Sequence, residues 1–389
     1  MKKITLLLLI FLTGTISTQA QQAIFGEVPI VSPEINDDQS VTFRIKAPLA
    51  NEVRLMGDWM PPVGWAPGSA ELTKDENGIW TYTTESLDSD LYTYSFSVDS
   101  VRTIDPSNPH VIRDVANLFN VFIIGDGKGD NYKVTDVPHG SVTRRWYESP
   151  GLDMQRRITI YTPPGYENSE EEYPVLYLLH GAGGDEEAWI ALGRTSQILD
   201  NLIADGKAEP MIVVMTNGNV DQQAAPGEAP AGYVTPQFML PSTMNGKFIE
   251  TFPDVIRFVE SEYRVVADKA HRAIAGLSMG GFHTMHISRF HPDTFDYVAL
   301  FSAAIMPRDE SASPVFADIK GTLETQMNNG YELYWIGIGK SDFLFEANTQ
   351  YRAMLDEMGM EYEYMETEGG HTWTNWRVYL TEIAPLLFK

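Results

Sequence analysis

The sequence predicts a small all-β sandwich followed by a larger α/β domain with a mostly parallel sheet. Apolar residues alternate with a period of two from about residue 23 to residue 124, as in half-buried strands. From about Val137 onward, short apolar runs alternate with longer helical patterns, which is typical of a parallel sheet covered by helices. The 389 residues are also enough for two domains of about 150 residues or more.

The first twenty residues have the pattern of a secretory signal. Lys2 and Lys3 precede an apolar run, Ile4–Leu12, and small or polar residues lead to Ala20, a suitable cleavage site. The run is shorter than the roughly 20 apolar residues of a membrane-spanning helix. We therefore interpret residues 1–20 as a removed signal and expect a secreted protein, periplasmic or extracellular in a bacterium, without a membrane partner. An uncleaved N-terminal anchor is the alternative.

The antiparallel sandwich is predicted over residues 23–125. Its strands, such as Tyr92–Val98, are separated by turn signals that include Asn77-Gly78. The Gly/Asp run Gly125–Asp130 lacks the spacing of an EF-hand and indicates a linker over residues 126–136.

The α/β domain is predicted over residues 137–389. In open parallel sheets, ligands bind beyond the carboxyl ends of the strands, so the residues that follow each strand are the candidates for chemistry. The predicted strands are Arg157–Tyr161, Val175–Leu179, Met211–Met215, Ala273–Ala275, Tyr297–Phe301, Leu333–Ile338 and Tyr362–Glu366.

Composition excludes several functions. The formal net charge of −25 would repel nucleic acid, which is therefore not an expected partner. The absence of cysteine excludes a thiol nucleophile, a disulfide and a cysteine-ligated metal. His283 and His286 lie three apart on a predicted helix but have no carboxylate between them, so neither a metal nor a cofactor is expected.

The segment Gly276-Leu277-Ser278-Met279-Gly280-Gly281 has the pattern and position of a nucleophile elbow. It follows a predicted strand and opens a helix, the context in which a strained turn projects a serine above a sheet. A serine hydroxyl needs a base to accept its proton, and the base needs an acid to fix its tautomer. Ser278 is therefore the candidate nucleophile.

The base and the acid should follow the nucleophile in the chain. His371, in a loop after the last predicted strand, is the candidate base. Asp342 follows the strand Leu333–Ile338 and is the preferred acid. It would also suit the N-cap of the next helix. The alternative acids are Asp309, Glu310 and Glu346.

The tetrahedral intermediate of acyl transfer needs two hydrogen-bond donors. Met279, directly after the nucleophile, supplies one backbone N–H. The glycine-rich loop His180–Asp185 follows the strand Val175–Leu179, and the N–H of Ala182 is the expected second donor. Four such elements, each after a different strand, predict a serine hydrolase.

These motifs resemble the esterase D branch of the α/β-hydrolases, and within it carbohydrate esterase family one, which contains feruloyl and acetyl-xylan esterases. The resemblance covers about Val137–Lys389. It implies an α/β-hydrolase fold, a triad of Ser278, Asp342 and His371, and an oxyanion hole of Ala182 and Met279. The motifs that carry it are Tyr161–Tyr166, Leu178–Glu186 with Trp189, Gly276–Gly281 and Gly370–Trp373 with Trp376-Arg377.

The N-terminal stretch is similar to the immunoglobulin-like module, related to family 48 carbohydrate-binding modules, that precedes the catalytic domain of many such esterases. The matching segments are Val53–Trp59, Lys74–Trp80 and Tyr92–Phe96. Trp59 and Trp65 would suit stacking on a sugar ring. The alternative interpretation is that the aromatic residues of the module form its core and only brace the active site.

An irregular insertion, Gly218–Gly246, is predicted above the strand ends, where it would cover the acyl group. The candidate walls of the acyl pocket are Trp189, Tyr233, Phe238 and Trp373. Aromatic walls favour feruloyl or similar hydroxycinnamoyl esters on xylan or arabinoxylan oligosaccharides. Acetylated xylan is the next candidate substrate. An enterobactin-type siderophore esterase, a noncatalytic carbohydrate-binding protein and an acyltransferase stay open.

Overall fold

The computed structural model describes residues 30–61, 68–306, 309 and 311–389. The predicted signal, residues 1–20, lies outside them, as do Trp65 and Glu310. The described residues form two antiparallel sheets followed by an eight-stranded mixed sheet with helices. The predicted fold class is therefore confirmed.

The first two sheets form the sandwich. One has the strand order β1-β2-β6-β5, and the other β4-β3-β7-β10-β9 with β8 beside β7. Val41, Phe43, Leu55, Tyr94 and Phe96 are fully buried between them, because alternate residues of each strand face inward. The strands are β1 (Glu34–Ile35), β2 (Val41–Lys46), β3 (Val53–Gly57), β4 (Ser69–Glu71), β5 (Thr73–Lys74), β6 (Ile79–Thr83), β7 (Leu91–Val98), β8 (Val101–Thr103), β9 (Val111–Asp114) and β10 (Asn117–Ile123).

The third sheet has the order β11-β12-β14-β13-β15-β16-β17-β18, with β11 and β12 antiparallel to their neighbours and the other six strands parallel. All seven predicted strands are present to within a few residues. The sequence prediction missed β11, an edge strand whose largely polar, exposed residues give no apolar signal. The strands are β11 (Ser141–Ser149), β12 (Met154–Thr162), β13 (Val175–Leu179), β14 (Ile212–Thr216), β15 (Arg272–Leu277), β16 (Tyr297–Phe301), β17 (Leu333–Gly339) and β18 (Glu363–Thr367).

Helices cover both faces of this sheet. Its apolar strands are buried on both sides, as parallel sheets require. None of the helices in the described ranges is long and apolar enough to cross a membrane. The helices are α1 (Ala188–Ala191), α2 (Thr195–Ala204), α3 (Lys247–Glu262), α4 (Met279–Phe290), α5 (Ile319–Asn329), α6 (Phe345–Met358) and α7 (Trp373–Ile383).

The sandwich packs against helices of the α/β domain, with contacts between β9 and α1 and a hydrogen bond from Arg377 of α7 to the Leu91 carbonyl. Its residues Leu91, Ile112 and Val121 belong to the same buried cluster as Trp189 of α1. The connecting segment, predicted as a linker over residues 126–136, is also held in place. The Asn201 side chain of α2 donates hydrogen bonds to three of its backbone carbonyls, and Tyr132 is buried. The two parts therefore share a core.

Candidate active site

Ser278 occupies the turn between β15 and α4, where the sequence predicts a nucleophile elbow. Its backbone has φ 53° and ψ −113°, a conformation that L-residues rarely adopt. Its N–H donates to the Phe301 carbonyl at 2.8 Å, and its own carbonyl accepts from the Ala304 N–H at 2.8 Å. Backbone bonds to the segment that ends β16 thus hold the strained serine on both sides.

His371 and Asp342 form a hydrogen-bonded pair. The Nδ1–H of His371 donates to Asp342, at 2.9 Å from Oδ2 and 3.1 Å from Oδ1. The Asp342 side chain is inaccessible to solvent, and its Oδ1 also accepts from the Leu344 N–H at 2.9 Å. The His371 ring lies 4.6 Å from the Phe343 ring and 4.9 Å from that of Trp376, centroid to centroid. With its proton on Nδ1, the imidazole has an unprotonated Nε2 with which to accept a proton.

The described competitors for the acid are placed elsewhere. Asp309 is exposed and accepts hydrogen bonds from Ser311, two residues on. Glu346 is exposed and accepts from the Gln350 side chain. Of the acids considered that the structure describes, Asp342 is the one bonded to His371. It also caps the turn before α6, so the structural and the functional interpretations of this residue coexist.

The glycine-rich segment after β13, here called the oxyanion loop (His180–Glu187), is shaped by His180. The Gly218 N–H donates to Nε2 of His180 at 2.8 Å, which places the ring proton on Nδ1. Nδ1–H then donates to the Gly181 carbonyl at 2.7 Å. Because a trans peptide group directs its N–H opposite to its C=O, the Ala182 N–H points away from His180. Burial lowers the pKa of His180, so the ring is neutral at physiological pH.

The oxyanion loop lies against the nucleophile. A Cβ added to Gly181 would come within 3.3 Å of the Ser278 Cβ and 2.4 Å of a Leu277 methyl carbon, so a larger residue there would displace the Leu277 side chain. In the described part of the chain, the Ala182 N–H makes no hydrogen bond. Met279 is the first residue of α4, and helices leave their first N–H groups unpaired. Both predicted donors are thus available beside Ser278.

Glu186, which the sequence does not indicate as a site residue, connects the C-terminal end of this loop to the insertion Gly218–Gly246. Its buried carboxylate accepts from Arg157 Nε at 2.8 Å, from the Ala225 N–H at 2.8 Å and from the Asn217 side chain at 3.1 Å. Arg157 also pairs with Glu228 of the insertion at 2.8 Å. These partners are far apart in the sequence, so no local motif reveals them.

A cavity of about 1560 Å³ lies where the sandwich faces the carboxyl ends of the sheet. Of the predicted site residues, Ala182, Phe238, Ser278, His371 and Trp373 line it. Residues of the sandwich form one wall of this cavity. The sequence indicates Trp59 as a sugar platform but does not indicate the other residues of that wall. That wall includes Asp58, Trp59, Tyr92, Arg102, Arg113, Val115 and Phe119.

Trp59 packs on the sandwich core and also faces the cavity. Its ring stacks on Phe43 of the sandwich core, with 5.6 Å between ring centroids, and it also lines the cavity. Beside it, the Asp58 carboxylate accepts two hydrogen bonds from Thr93. The sandwich therefore presents both an aromatic and a titratable group to the cavity.

Two predicted pocket walls need correction. Trp189 is only 1% exposed and does not line the cavity, because its indole N–H donates to the Leu179 carbonyl and its ring packs in the core. It supports Trp373 from behind, at 5.2 Å between ring centroids. Tyr233 is 73% exposed and lies outside the cavity lining, on the outer part of the insertion. Of the two aromatic candidates in the insertion, Phe238 is the one in the lining.

Across residues 30–61, 68–306, 309 and 311–389, no group of three or more potential ligands is arranged to hold a metal ion. His283 and His286 are buried in α4, where His283 Nε2 bonds to the Thr243 carbonyl and His286 Nδ1 accepts from Arg289. Both have structural contacts.

Comparison with protein families identifies the larger domain. Residues 149–387 match the model of the Esterase family, described as "Putative esterase". The chain belongs to this esterase family. Its larger domain has the α/β-hydrolase fold.

Individual relatives agree with this assignment. The chain is 30% identical over 370 residues to an endo-1,4-beta-xylanase/feruloyl esterase from Xylanibacter ruminicola. The matched region covers 92% of this chain and 46% of that protein. The chain spans less than half the length of this curated relative. Among solved structures, it is similar to a CE1 ferulic acid esterase from Anaeromyces mucronatus in complex with ferulic acid, with a TM-score of 0.54 and 25% identity over 67% of the chain and 95% of that structure.

A third comparison extends over the sandwich. The enterobactin esterase of Shigella flexneri covers 90% of this esterase and 93% of its own chain, with a TM-score of 0.61 and 15% identity. At this identity the comparison shows a shared fold.

Proposed function

We propose that the esterase hydrolyses feruloyl or similar hydroxycinnamoyl esters carried by xylan or arabinoxylan oligosaccharides, with Ser278 as the nucleophile. The observation that carries the catalytic proposal is the His371–Asp342 pair on the same cavity as the strained Ser278. His371 would act as the general base, Asp342 would hold its tautomer, and the N–H groups of Ala182 and Met279 would bind the oxyanion.

The reaction would follow the serine-hydrolase sequence. Ser278 Oγ attacks the ester carbonyl while His371 Nε2 accepts the hydroxyl proton, and the two N–H groups stabilise the resulting oxyanion. When the intermediate collapses, the ester C–O bond breaks, and the sugar alcohol leaves with the proton from His371. Water, deprotonated by His371, then attacks the acyl-enzyme and releases the carboxylic acid.

The substrate proposal is supported by the cavity and the relatives. Trp373, Trp376 and Phe238 provide aromatic surface near His371 and the oxyanion loop, as a planar phenolic acid requires. A volume of about 1560 Å³ is also ample for an aromatic acyl group with an attached sugar. The Xylanibacter ruminicola relative is named a feruloyl esterase and the Anaeromyces mucronatus structure contains ferulic acid.

The charge of the cavity favours this proposal over a siderophore ester. Carboxylates outnumber lysine and arginine in its lining, and the whole chain carries a formal charge of −25. An anionic ferric siderophore would be repelled by both. We further propose that residues 1–20 direct secretion, which would bring the enzyme to plant polysaccharide.

The test is a parallel assay on methyl ferulate, feruloylated arabinoxylan oligosaccharides and acetylated xylan. Ser278→Ala should lower turnover by about 10⁴-fold or more without unfolding the protein. Ser302→Ala is the matched control, because Ser302 is also buried with positive φ, at 44°, and its hydroxyl has no hydrogen-bond partner among the described residues. It should retain turnover.

Each outcome decides part of the proposal. Near-normal turnover by Ser278→Ala would refute the catalytic assignment. Release of acetate without ferulate would replace the hydroxycinnamoyl proposal by an acetyl-xylan esterase. If neither ferulate nor acetate is released from any of the three substrates, the xylan assignment is contradicted.

A further inference from the structure

The turn that joins β9 and β10 has an unusual residue in a strained position. Asp114 pairs with Asn117, which leaves a two-residue turn of Val115 and Ala116. Val115 has φ 51°, in the region that such turns normally reserve for glycine, asparagine or aspartate. A β-branched residue in this region is strongly disfavoured, and such strain persists where the surrounding structure imposes it, often at functional sites.

The strained turn packs on the oxyanion loop. A Cβ added to Gly183 would lie 2.6 Å and 3.0 Å from the two methyl carbons of Val115. Gly183 itself has φ 76° and is therefore the residue that permits the bend after Ala182. The sandwich thus reaches, through Val115, the residue next to the proposed oxyanion donor.

Arg113 joins the same two segments. Its Nη1 donates to the Val115 carbonyl at 2.8 Å, and its Nη2 forms a salt bridge with Asp185 of the oxyanion loop. The Asp185 side chain is only 2% exposed, and its Oδ1 accepts from the Glu187 N–H at 3.0 Å. A single guanidinium therefore fixes the strained turn and the loop relative to each other. Its two terminal nitrogens lie in one plane and can bind both partners at once.

We propose that Arg113 and Val115 are positioning residues that set the Ala182 N–H of the oxyanion hole, so that the sandwich contributes to catalysis as well as to substrate enclosure. The proposal rests on the catalytic function proposed above, in which Ala182 binds the oxyanion. Its physical basis is that a donor stabilises the transition state only at the right distance, and a small displacement costs much of the effect.

The first experiment uses Val115→Gly. This substitution removes the side chain that packs on Gly183, and it removes the backbone strain because glycine adopts a positive φ readily. With 4-nitrophenyl acetate, a probe too small to need polysaccharide binding, kcat should fall about tenfold while KM stays within about twofold. The thermal midpoint should not fall. Ser100→Gly is the matched control, because Ser100, with φ 69°, occupies the β7–β8 turn outside the cavity lining. It should leave kcat unchanged.

The second experiment replaces Arg113. Arg113→Ala should lower kcat about tenfold or more, and Arg113→Lys should recover part of it, because an ammonium can pair with Asp185 but cannot also span to the Val115 carbonyl. Arg54→Ala, an exposed arginine of the same sandwich that is outside the cavity lining, is the control. Labelling of Ser278 by a fluorophosphonate should slow in parallel with kcat. The attack of Ser278 on phosphorus also builds negative charge on an oxygen, which the oxyanion hole would stabilise as it does in ester hydrolysis.

The two proposals fail in different ways. Folded Val115→Gly and Arg113→Ala proteins with kcat within twofold of the parent, or with losses confined to KM, would overturn the positioning role while Ser278→Ala stays inactive. Turnover by Ser278→Ala would overturn the proposed function itself.

Discussion

The nucleophile and the oxyanion loop lie side by side but are held in different ways. Backbone groups at the last residue of β16, Phe301, and just beyond it, at Ala304, hold Ser278. The oxyanion loop is held mainly by side chains, namely Arg113 of the sandwich and Arg157 of β12 together with the loop's own His180 and Glu186. The first arrangement is a property of the sheet, whereas the second depends on long-range packing. Substitutions should therefore affect the two sides differently.

After Ser278→Ala, the largest loss is expected from Asp342→Asn, also on the side of the nucleophile. The asparagine oxygen would keep the bond from the Leu344 N–H, so its amide group would face His371 Nδ1. An amide donor there forces the ring proton onto Nε2, and the ring then cannot accept the Ser278 proton. We expect kcat on methyl ferulate to fall by about a thousandfold or more with an unchanged fold.

Glu346→Gln provides the control for this prediction, because Glu346 is an exposed acid on the adjoining helix. It should retain turnover within about twofold, since exposed substitutions remote from the site change little. A large loss for Glu346→Gln with a small one for Asp342→Asn would reverse the assignment of the acid.

An intermediate loss is expected in the oxyanion loop, at His180. His180→Asn keeps an amide donor near the position of Nδ1, whereas His180→Gln places its amide near that of Nε2 and leaves the Gly181 carbonyl without this donor. We expect kcat to fall about tenfold for asparagine and about a hundredfold for glutamine. Equal losses would show that the bond to the Gly181 carbonyl is not what His180 contributes to turnover.

The same substitutions have a pH-dependent effect on stability. Burial lowers the pKa of His180, so the unfolded chain binds a proton below about pH 6.5 that the folded chain does not. Stability of the parent should therefore fall as the pH decreases below 6.5. His180→Asn should lose less stability between pH 7.5 and 5.5, as measured by chemical unfolding. Parallel pH profiles would contradict a neutral, buried His180 in the folded protein.

The contrast between the two sides also explains what the sequence predicts. The elbow, the order of Ser278, Asp342 and His371, and the strand ends that carry them follow from local patterns, because strand, turn and helix signals are short-range. Arg113, Val115 and Glu186 could not be found this way, since each acts on a segment far away in the chain. The only local hint is the Val115-Ala116 pair in a turn that usually has glycine or asparagine.

The smallest effects are expected in the insertion, where sequence patterns place Tyr233 and Phe238 equally well. Both side chains are largely exposed, but the structure separates them, because Phe238 lines the cavity and its Cα would lie 3.3 Å from a Cβ added to Gly183, whereas Tyr233 lies outside the lining. Phe238→Ala should lower kcat/KM on methyl ferulate about threefold to tenfold, by loss of aromatic contact. Tyr233→Ala should change it by less than about twofold. A larger effect at Tyr233 than at Phe238 would mean that the insertion folds inward when substrate binds, and the wall of the acyl site would then be assigned to the outer part of the insertion.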